Sequence, residues 1–159
     1  MTKDALDIKI RHVNINDLSE IQALYAETIK STCKKDYNPE QINVWTSSVE
    51  NKARWQEALL HQYFLVAEIN GKIVGFASLE NGDYIDFMYV HKDHVRQGIA
   101  GRLYEALEKE SERLGYTGIT SDVSKTARPF FEKKGFQVVK ENKRRIKGVE
   151  MINYRMIKN

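Results

Sequence analysis

Arg96-Gln97-Gly98-Ile99-Ala100-Gly101-Arg102 places three small residues between two arginines in seven positions. Small residues at 98, 100 and 101 let a ligand approach the backbone closely. A helix that starts here leaves its first N–H groups unpaired at the positive end of its dipole, which makes an anion site. Arg96 and Arg102 add full charges suited to a pyrophosphate. A second group that could do chemistry is Asp86, set in the apolar run Tyr84-Ile85-Asp86-Phe87-Met88-Tyr89-Val90. A carboxylate in such a run is costly unless paired, and burial raises its pKa and makes it a better base. The other reading of Asp86 is structural, a loop cap or a partner for an arginine of the last hairpin.

These groups need elements to hold them. Ile99, Leu103, Ala106, Leu107 and Leu114 recur at helical spacing, so a long amphipathic helix follows the small-residue loop. Upstream, Asn70-Gly71 and Asn81-Gly82 are hairpin turns, so Tyr63 to Ile69, Lys72 to Glu80 and Tyr84 to Val90 form an antiparallel meander. The middle strand is apolar on both faces, which predicts a sheet covered by helices on both sides. Ile8 to His12 reads as a short strand, and Asn16-Asp17-Leu18-Ser19-Glu20 as a cap for a helix reaching about Lys30. Pro39 opens a helix containing Ile42, Val44 and Trp45, and Trp55, Leu59 and Leu60 mark another. Gly118 to Val123 is a fifth strand, Thr126 to Lys134 a short helix, and Phe136 to Ile146 with Glu150 to Ile157 a last hairpin turning at Lys147-Gly148. Without repeats, linkers or low-complexity stretches, residues 1–159 read as a single domain.

The loop is neither Gly-x-x-x-x-Gly-Lys-Ser/Thr nor Gly-x-Gly-x-x-Gly, and hairpins rather than βαβ crossovers precede it. Val95-Arg96-Gln97-Gly98-Ile99-Ala100 resembles the cofactor loop of the GCN5-related N-acetyltransferase (GNAT) family, Arg/Gln-x-x-Gly-x-Gly/Ala, in its glycine and small-residue positions. Val90-His91-Lys92-Asp93-His94 stands where that family has Val-x-Pro and a polar residue. Phe130-Phe131-Glu132-Lys133-Lys134-Gly135-Phe136 resembles its Tyr-Glu-Lys-x-Gly-Phe signature. The likeness is close from Phe64 to Phe136 and looser elsewhere. Asp36-Tyr37-Asn38-Pro39-Glu40-Gln41, Ile85-Asp86 and Ala127-Arg128-Pro129-Phe130-Phe131 resemble a bacterial subgroup of undefined substrate.

The resemblance implies an α/β (α+β) GNAT-like fold: a central mixed, mostly antiparallel sheet of about six to seven strands with helices on both faces. It implies acetyl transfer from acetyl-CoA to a primary amine of a small molecule or peptide, direct and within a ternary complex. Cofactor contacts fall on Val95, Arg96, Gln97, Gly98, Ile99, Ala100, Gly101 and Arg102 for the pyrophosphate. They fall on the backbone of Met88, Tyr89 and Val90, where the strand splays from its neighbour, and on Ser124, Phe130 and Phe131 beside the pantetheine. Ser124 reads equally as a helix cap, and Phe130 and Phe131 as core. Arg128 and Lys133 are candidates for the nucleotide 3′-phosphate.

A lysine-like amine, with a pKa of about 10.4, must lose a proton before it attacks, and Asp86 is the first choice of base. Glu27, Asp36 and Glu40 are alternatives from the acceptor-shaping region. The departures from the pattern are Val95, which cannot bind phosphate through its side chain, and Phe131, which stands where the family often has a proton-donating tyrosine. Tyr154 then becomes the candidate acid, with Tyr89 and Cys33 behind it, although a strand tyrosine also reads as packing. A catalytically weak acetyl-CoA-binding module with a sensory role is the alternative reading.

With 42% hydrophobic and 30% charged residues and a formal charge of +3, the chain reads as a soluble globular protein with a mild preference for anions. One cysteine excludes an internal disulfide and suits a reducing cytoplasm. Lys3, Asp4, Asp7, Lys9 and Arg11 leave no signal-peptide core, and no stretch is apolar enough for a membrane span. Lys140, Lys143, Arg144, Arg145 and Lys147 read as a solvated strand edge rather than a nucleic-acid platform, since no aromatics interleave them. His91 and His94 lack the ligand spacing of a metal site, so no metal is expected. A homodimer is left open.

Overall fold

The computed structural model describes residues 7–159; Lys3 and Asp4 of the charged N-terminus lie outside them. Asn14 and Asp17 form a reciprocal cap two residues earlier than the sequence suggests, around a one-turn 3-10 helix. The chain order is β1 (Ile8–His12), α1 (Leu18–Thr32), α2 (Pro39–Thr46), α3 (Lys52–His61), β2 (Tyr63–Ile69), β3 (Lys72–Glu80) and β4 (Tyr84–Val90). It continues with α4 (Ile99–Arg113), β5 (Ile119–Val123), α5 (Arg128–Lys133), β6 (Gln137–Ile146) and β7 (Val149–Lys158). Pro39 at the first turn of α2, with Asn38 and Gln41 capping each other, starts that helix as read from sequence.

The seven strands form one sheet in the order β1-β2-β3-β4-β5-β7-β6. Every pairing is antiparallel except β4 with β5. The turns at Asn70-Gly71, Asn81-Gly82 and Lys147-Gly148 take the left-handed backbone that tight hairpins require. On one face α1, α2 and α3 cover a core that includes Ile21, Leu24, Ile29, Trp55, Phe64, Phe76 and Phe87. On the other, α4 and α5 cover Val74, Ala77, Leu79, Ile85, Ile99, Leu103, Leu107, Phe131 and Met156. β3 is buried from Ile73 to Leu79, which explains its apolar residues on both faces. Gly75 lets α4 lie close on the sheet, since a Cβ there would stand 3.1 Å from Ile99 Cγ2 and 3.2 Å from the Tyr89 carbonyl oxygen.

Two irregularities position the site. β4 and β5 are paired only at Tyr84 with Thr120 and Ile85 with Ser121; beyond that, Phe87 to Val90 continue along β3 without a ladder to β5. A wedge therefore opens in the middle of the sheet. The second is a bulge: Leu79 faces Ile85 but Ser78 faces Phe87, so β4 holds one extra residue, Asp86. The extra residue resets the alternation, and Ile85 faces the α4 side while Phe87 faces the α1 side.

Candidate active site

The loop that ends at Gly98 is built to hold an anion. A short 3-10 turn, Lys92–His94, leads to an extended Val95, then Arg96 at φ +65° and Gly98 at φ +82° before α4 begins. Alternating left-handed and ordinary residues curl the backbone so that successive N–H groups converge. Val95, Arg96, Gln97 and Gly98 are all exposed, while Ile99 is buried and anchors the helix below them. Ala100 and Gly101 are half-buried in the first turn. Nothing lies within 4 Å of where a Cβ on Gly98 would stand, so the cradle is open to a ligand. His94 Nδ1 meets Gln97 Oε1 at 3.0 Å and bridges the loop. The His91 ring accepts from the Asp93 N–H through Nδ1, which leaves Nε2 to meet Glu27 of α1 at 3.3 Å. Glu27 thus braces the entry to the loop.

Several predicted phosphate ligands are engaged elsewhere. Arg102 donates through Nη1 to the Ile8 carbonyl of β1 at 3.2 Å, which draws one end of its exposed guanidinium toward β1. Arg128 is held by Glu132 at 2.9 Å and lies over the Tyr154 ring at 4.8 Å, and Lys133 is an exposed surface residue. Lys134, which the sequence reading passed over, has its Nζ 3.6 Å from the Cβ position of Gly101, at the first turn of α4. Its signal was the run Lys133-Lys134 before Gly135, where only one lysine belongs to the recognisable pattern.

The wedge between β4 and β5 supplies a path from this loop to the middle of the sheet. Met88 and Val90 turn toward the α4 side and Tyr89 toward the α1 side, and their backbone groups on the β5 edge have no strand partner among the described residues. Ser124 closes the other lip, where its Oγ accepts from the Ala127 N–H, as a cap does. Phe130 is partly covered, and Phe131, 3% exposed, packs between Phe130 and Phe136 in the core. Tyr154 pairs with Val123 at the end of β5 and packs toward α5.

Asp86 does not share a face with Met88 and Val90, because the bulge turns it away from the α4 side. Its partner is Arg54 of α3, not an arginine of the last hairpin: the guanidinium forms two bonds to the carboxylate, at 3.1 and 3.0 Å, and Gln62 Nε2 adds a third at 2.8 Å. Arg54 also lies 4.8 Å above the Phe87 ring. Gln62 Oε1 is left buried without a partner.

Loop contacts tie the segment between α1 and α2 to β7 and to the loop after β5. Thr126 donates to Asp36 at 2.7 Å, and the Tyr37 hydroxyl donates to the Ile152 carbonyl while accepting from the Lys125 N–H. Burial pushes the Tyr37 phenol up to about 12, and both its hydrogen-bonding directions are in use. Burial likewise pushes the Cys33 thiol up to about 11 against a weaker opposing bond from Thr126, so Cys33 is no thiolate at neutral pH. Desolvation holds the Tyr89 phenol well above its ordinary range. Glu40 is exposed at the start of α2. Among the described residues no three His, Cys, Asp or Glu side chains gather as a metal site, and no helix is long and apolar enough to cross a membrane.

Known proteins share this arrangement. The family model for an acetyltransferase (GNAT) domain matches residues 33–158. The uncharacterized N-acetyltransferase YafP of Escherichia coli (strain K12) is 35% identical over 151 residues, covering 94% of this chain and 95% of that protein. The crystal structure of a GCN5-related N-acetyltransferase (aminotransferase, class II) from Rhodopseudomonas palustris superposes with a TM-score of 0.90 at 31% identity, over 100% of this chain and 98% of that one. PaiA N-acetyltransferase from Thermoplasma acidophilum, solved in complex with coenzyme A, shares the fold at a TM-score of 0.78 and 21% identity, over 97% and 99% of the two chains.

Proposed function

The chain belongs to the GNAT acetyltransferase family, and on that premise we propose that it moves the acetyl group of acetyl-CoA directly to a primary amine bound in the same complex. The observation that carries this reading is the wedge between β4 and β5, which opens beside a backbone anion cradle. Backbone N–H groups of residues 95–101, with Arg96 and Lys134, would hold the pyrophosphate, and the β4 edge from Met88 to Val90 would hold the pantetheine amides. When bound, the donor supplies an acetyl thioester.

The chain's own residues do the rest. Unpaired N–H groups on the β4 edge stabilise negative charge that builds on the carbonyl oxygen. The acceptor approaches from the α1 side, where Asp86 is the carboxylate in reach of its proton, and the thiol departs toward the α5 side, where Tyr154 lies. Arg54 and Gln62 occupy the Asp86 carboxylate with three hydrogen bonds, so the reaction relies on free amine. The rate with a lysine-like acceptor should therefore climb toward alkaline pH, as more of the acceptor (pKa about 10.4) is deprotonated. Cys33 favours direct transfer over an acyl-enzyme, since the only thiol is protonated and 5% exposed.

A binding module of weak activity is supported by Phe131, which has no proton to give, and by the bonds that occupy Asp86. Thiol release from acetyl-CoA, followed with a panel of primary amines, separates the two. Amine-dependent release supports the enzyme, and a fall in that release in Asp86→Asn with acetyl-CoA affinity kept supports the placing of Asp86 beside the acceptor; binding without release under any amine supports the module.

A further inference from the structure

On the α1-side face helices cover β2, β3 and β4 and α2 reaches β7 about Met151, but where β5, β7 and β6 run side by side near Asp122 the face carries a polar network. At its centre Asp122 accepts from Arg155 Nε at 2.8 Å and Nη2 at 2.9 Å, from the Tyr84 hydroxyl at 2.7 Å and from Asn142 Nδ2 at 2.8 Å. Four donors fill this carboxylate, so it has nothing left for a ligand. Arg155 is different. It meets Asp122 side-on through Nε and Nη2, so its Nη1 and the outer hydrogen of Nη2, the end-on fork, are unspent, and its side chain is 44% exposed. The aspartate fixes the plane of the guanidinium and presents that fork outward.

Directly across the strands, Lys140 of β6 is the register partner of Arg155. Register partners project to the same face, and two cations placed opposite each other destabilise a sheet. Lys140 is exposed and makes no ion pair among the described residues. Arg155 and Lys140 thus face outward beside one carboxylate that Arg155, Tyr84 and Asn142 already fill, and the three charged groups sum to a net charge of one next to Val123, the residue at the β5 lip of the wedge. The other carboxylate on this stretch, Asp86, is covered by Arg54, so a second cationic group on an acceptor would find both these carboxylates taken.

We propose that the acceptor is an amine that also carries a carboxylate, and that Arg155 and Lys140 bind this carboxylate while the amine reaches the wedge. The inference rests on the acetyltransferase reading and names its substrate class. Arg155 forms the bidentate contact, Lys140 adds charge, and Asp122 is a positioning residue that acts through Arg155.

The test uses the full chain and acetyl-CoA, with three five-carbon acceptors that differ only at the far end: 5-aminopentanoate, its carboxamide and 1,5-diaminopentane. The remote end group leaves the amine pKa nearly unchanged, so kcat/KM ratios report recognition. Linear ω-amino acids of four to six carbons, each against its amide, extend the set in length, and shorter and α-amino acids are compared with their amides at equal concentrations of free amine. The expected result is a carboxylate-to-carboxamide ratio of about ten or more for the best chain length. That ratio should fall toward unity in Arg155→Lys and in Lys140→Gln, the second being an exposed site whose change does not threaten folding. Equal use of acid and amide, a preference for the diamine, or failure of every carboxylate-bearing amine while other primary amines are acetylated overturns this inference alone. Failure to bind acetyl-CoA, or binding with no amine acetylated, overturns the reading beneath it.

Discussion

Gly98 carries the cofactor claim at the level of a single residue. Its φ of +82° is one that residues with a Cβ adopt at a cost of about 1–2 kcal/mol, yet no atom crowds the position. Gly98→Ala should therefore weaken acetyl-CoA binding modestly, within about tenfold, through backbone strain alone. Gly98→Glu adds a carboxylate against the phosphates and should weaken binding by a hundredfold or more; calorimetry on both, with melting temperatures as the folding control, separates strain from charge. Cys33 gives the opposite kind of prediction. Because its thiol is buried and protonated, Cys33→Ala should keep kcat within about twofold and cost roughly 1 kcal/mol of stability, read by urea unfolding. Loss of all turnover in that variant with a normal fold would point to an acyl-cysteine instead of direct transfer.

At the level of elements, the β6–β7 hairpin is held to the rest of the sheet by its ladder with β5 and by Asp122, which accepts from Arg155 and Asn142 of the hairpin and from Tyr84 of β4. Burial by itself would raise the Asp122 pKa, but bonds from Arg155, Tyr84 and Asn142 outweigh it and hold the carboxylate below its usual range. A depressed folded pKa means stability that is complete above the unfolded value, about 3.9, and lost as pH falls through the folded value. Unfolding free energy measured against pH should thus drop below about pH 4 in the wild type. In Asp122→Asn that drop should be shallower, with a loss of about 1–3 kcal/mol at neutral pH. The hairpin itself was legible in the sequence, from alternating residues about Lys147-Gly148, and so were the meander and the loop before α4. The Asp122 hub was not, since it joins β4, β5, β6 and β7 through residues that no local pattern links. Asp86 shows the limit most clearly. Alternation along β4 puts it on the face of Met88 and Val90, but one bulged residue reverses that assignment, and the bulge arises from pairing with β3, which the run Tyr84–Val90 does not encode by itself. Its partner Arg54 lies 32 residues away on α3, with nothing in the intervening sequence to announce the pair.

Taken as a whole, the molecule is one sheet split between β4 and β5, with the anion cradle and α5 on one side of the wedge and an aromatic and polar face on the other. The proposed direct transfer needs donor and acceptor bound together, so initial-velocity lines should intersect when each substrate is varied against the other; parallel lines would indicate an acyl-enzyme. The small-residue loop and the Phe130–Phe136 segment make this architecture legible in the sequence, because the first must let a ligand reach the backbone and the second packs the short helix α5 into the core. The sequence does not show which donors Arg54, Arg102, Arg128 and Arg155 keep once each has met its partner. The claim tested most directly is that the cradle and wedge bind acetyl-CoA. Calorimetric titration of the purified chain with acetyl-CoA, coenzyme A and ATP should show one acetyl-CoA site per chain, weak or no binding of ATP, and loss of the acetyl-CoA signal in Gly98→Glu. No heat from acetyl-CoA, or binding that Gly98→Glu leaves intact, would contradict it.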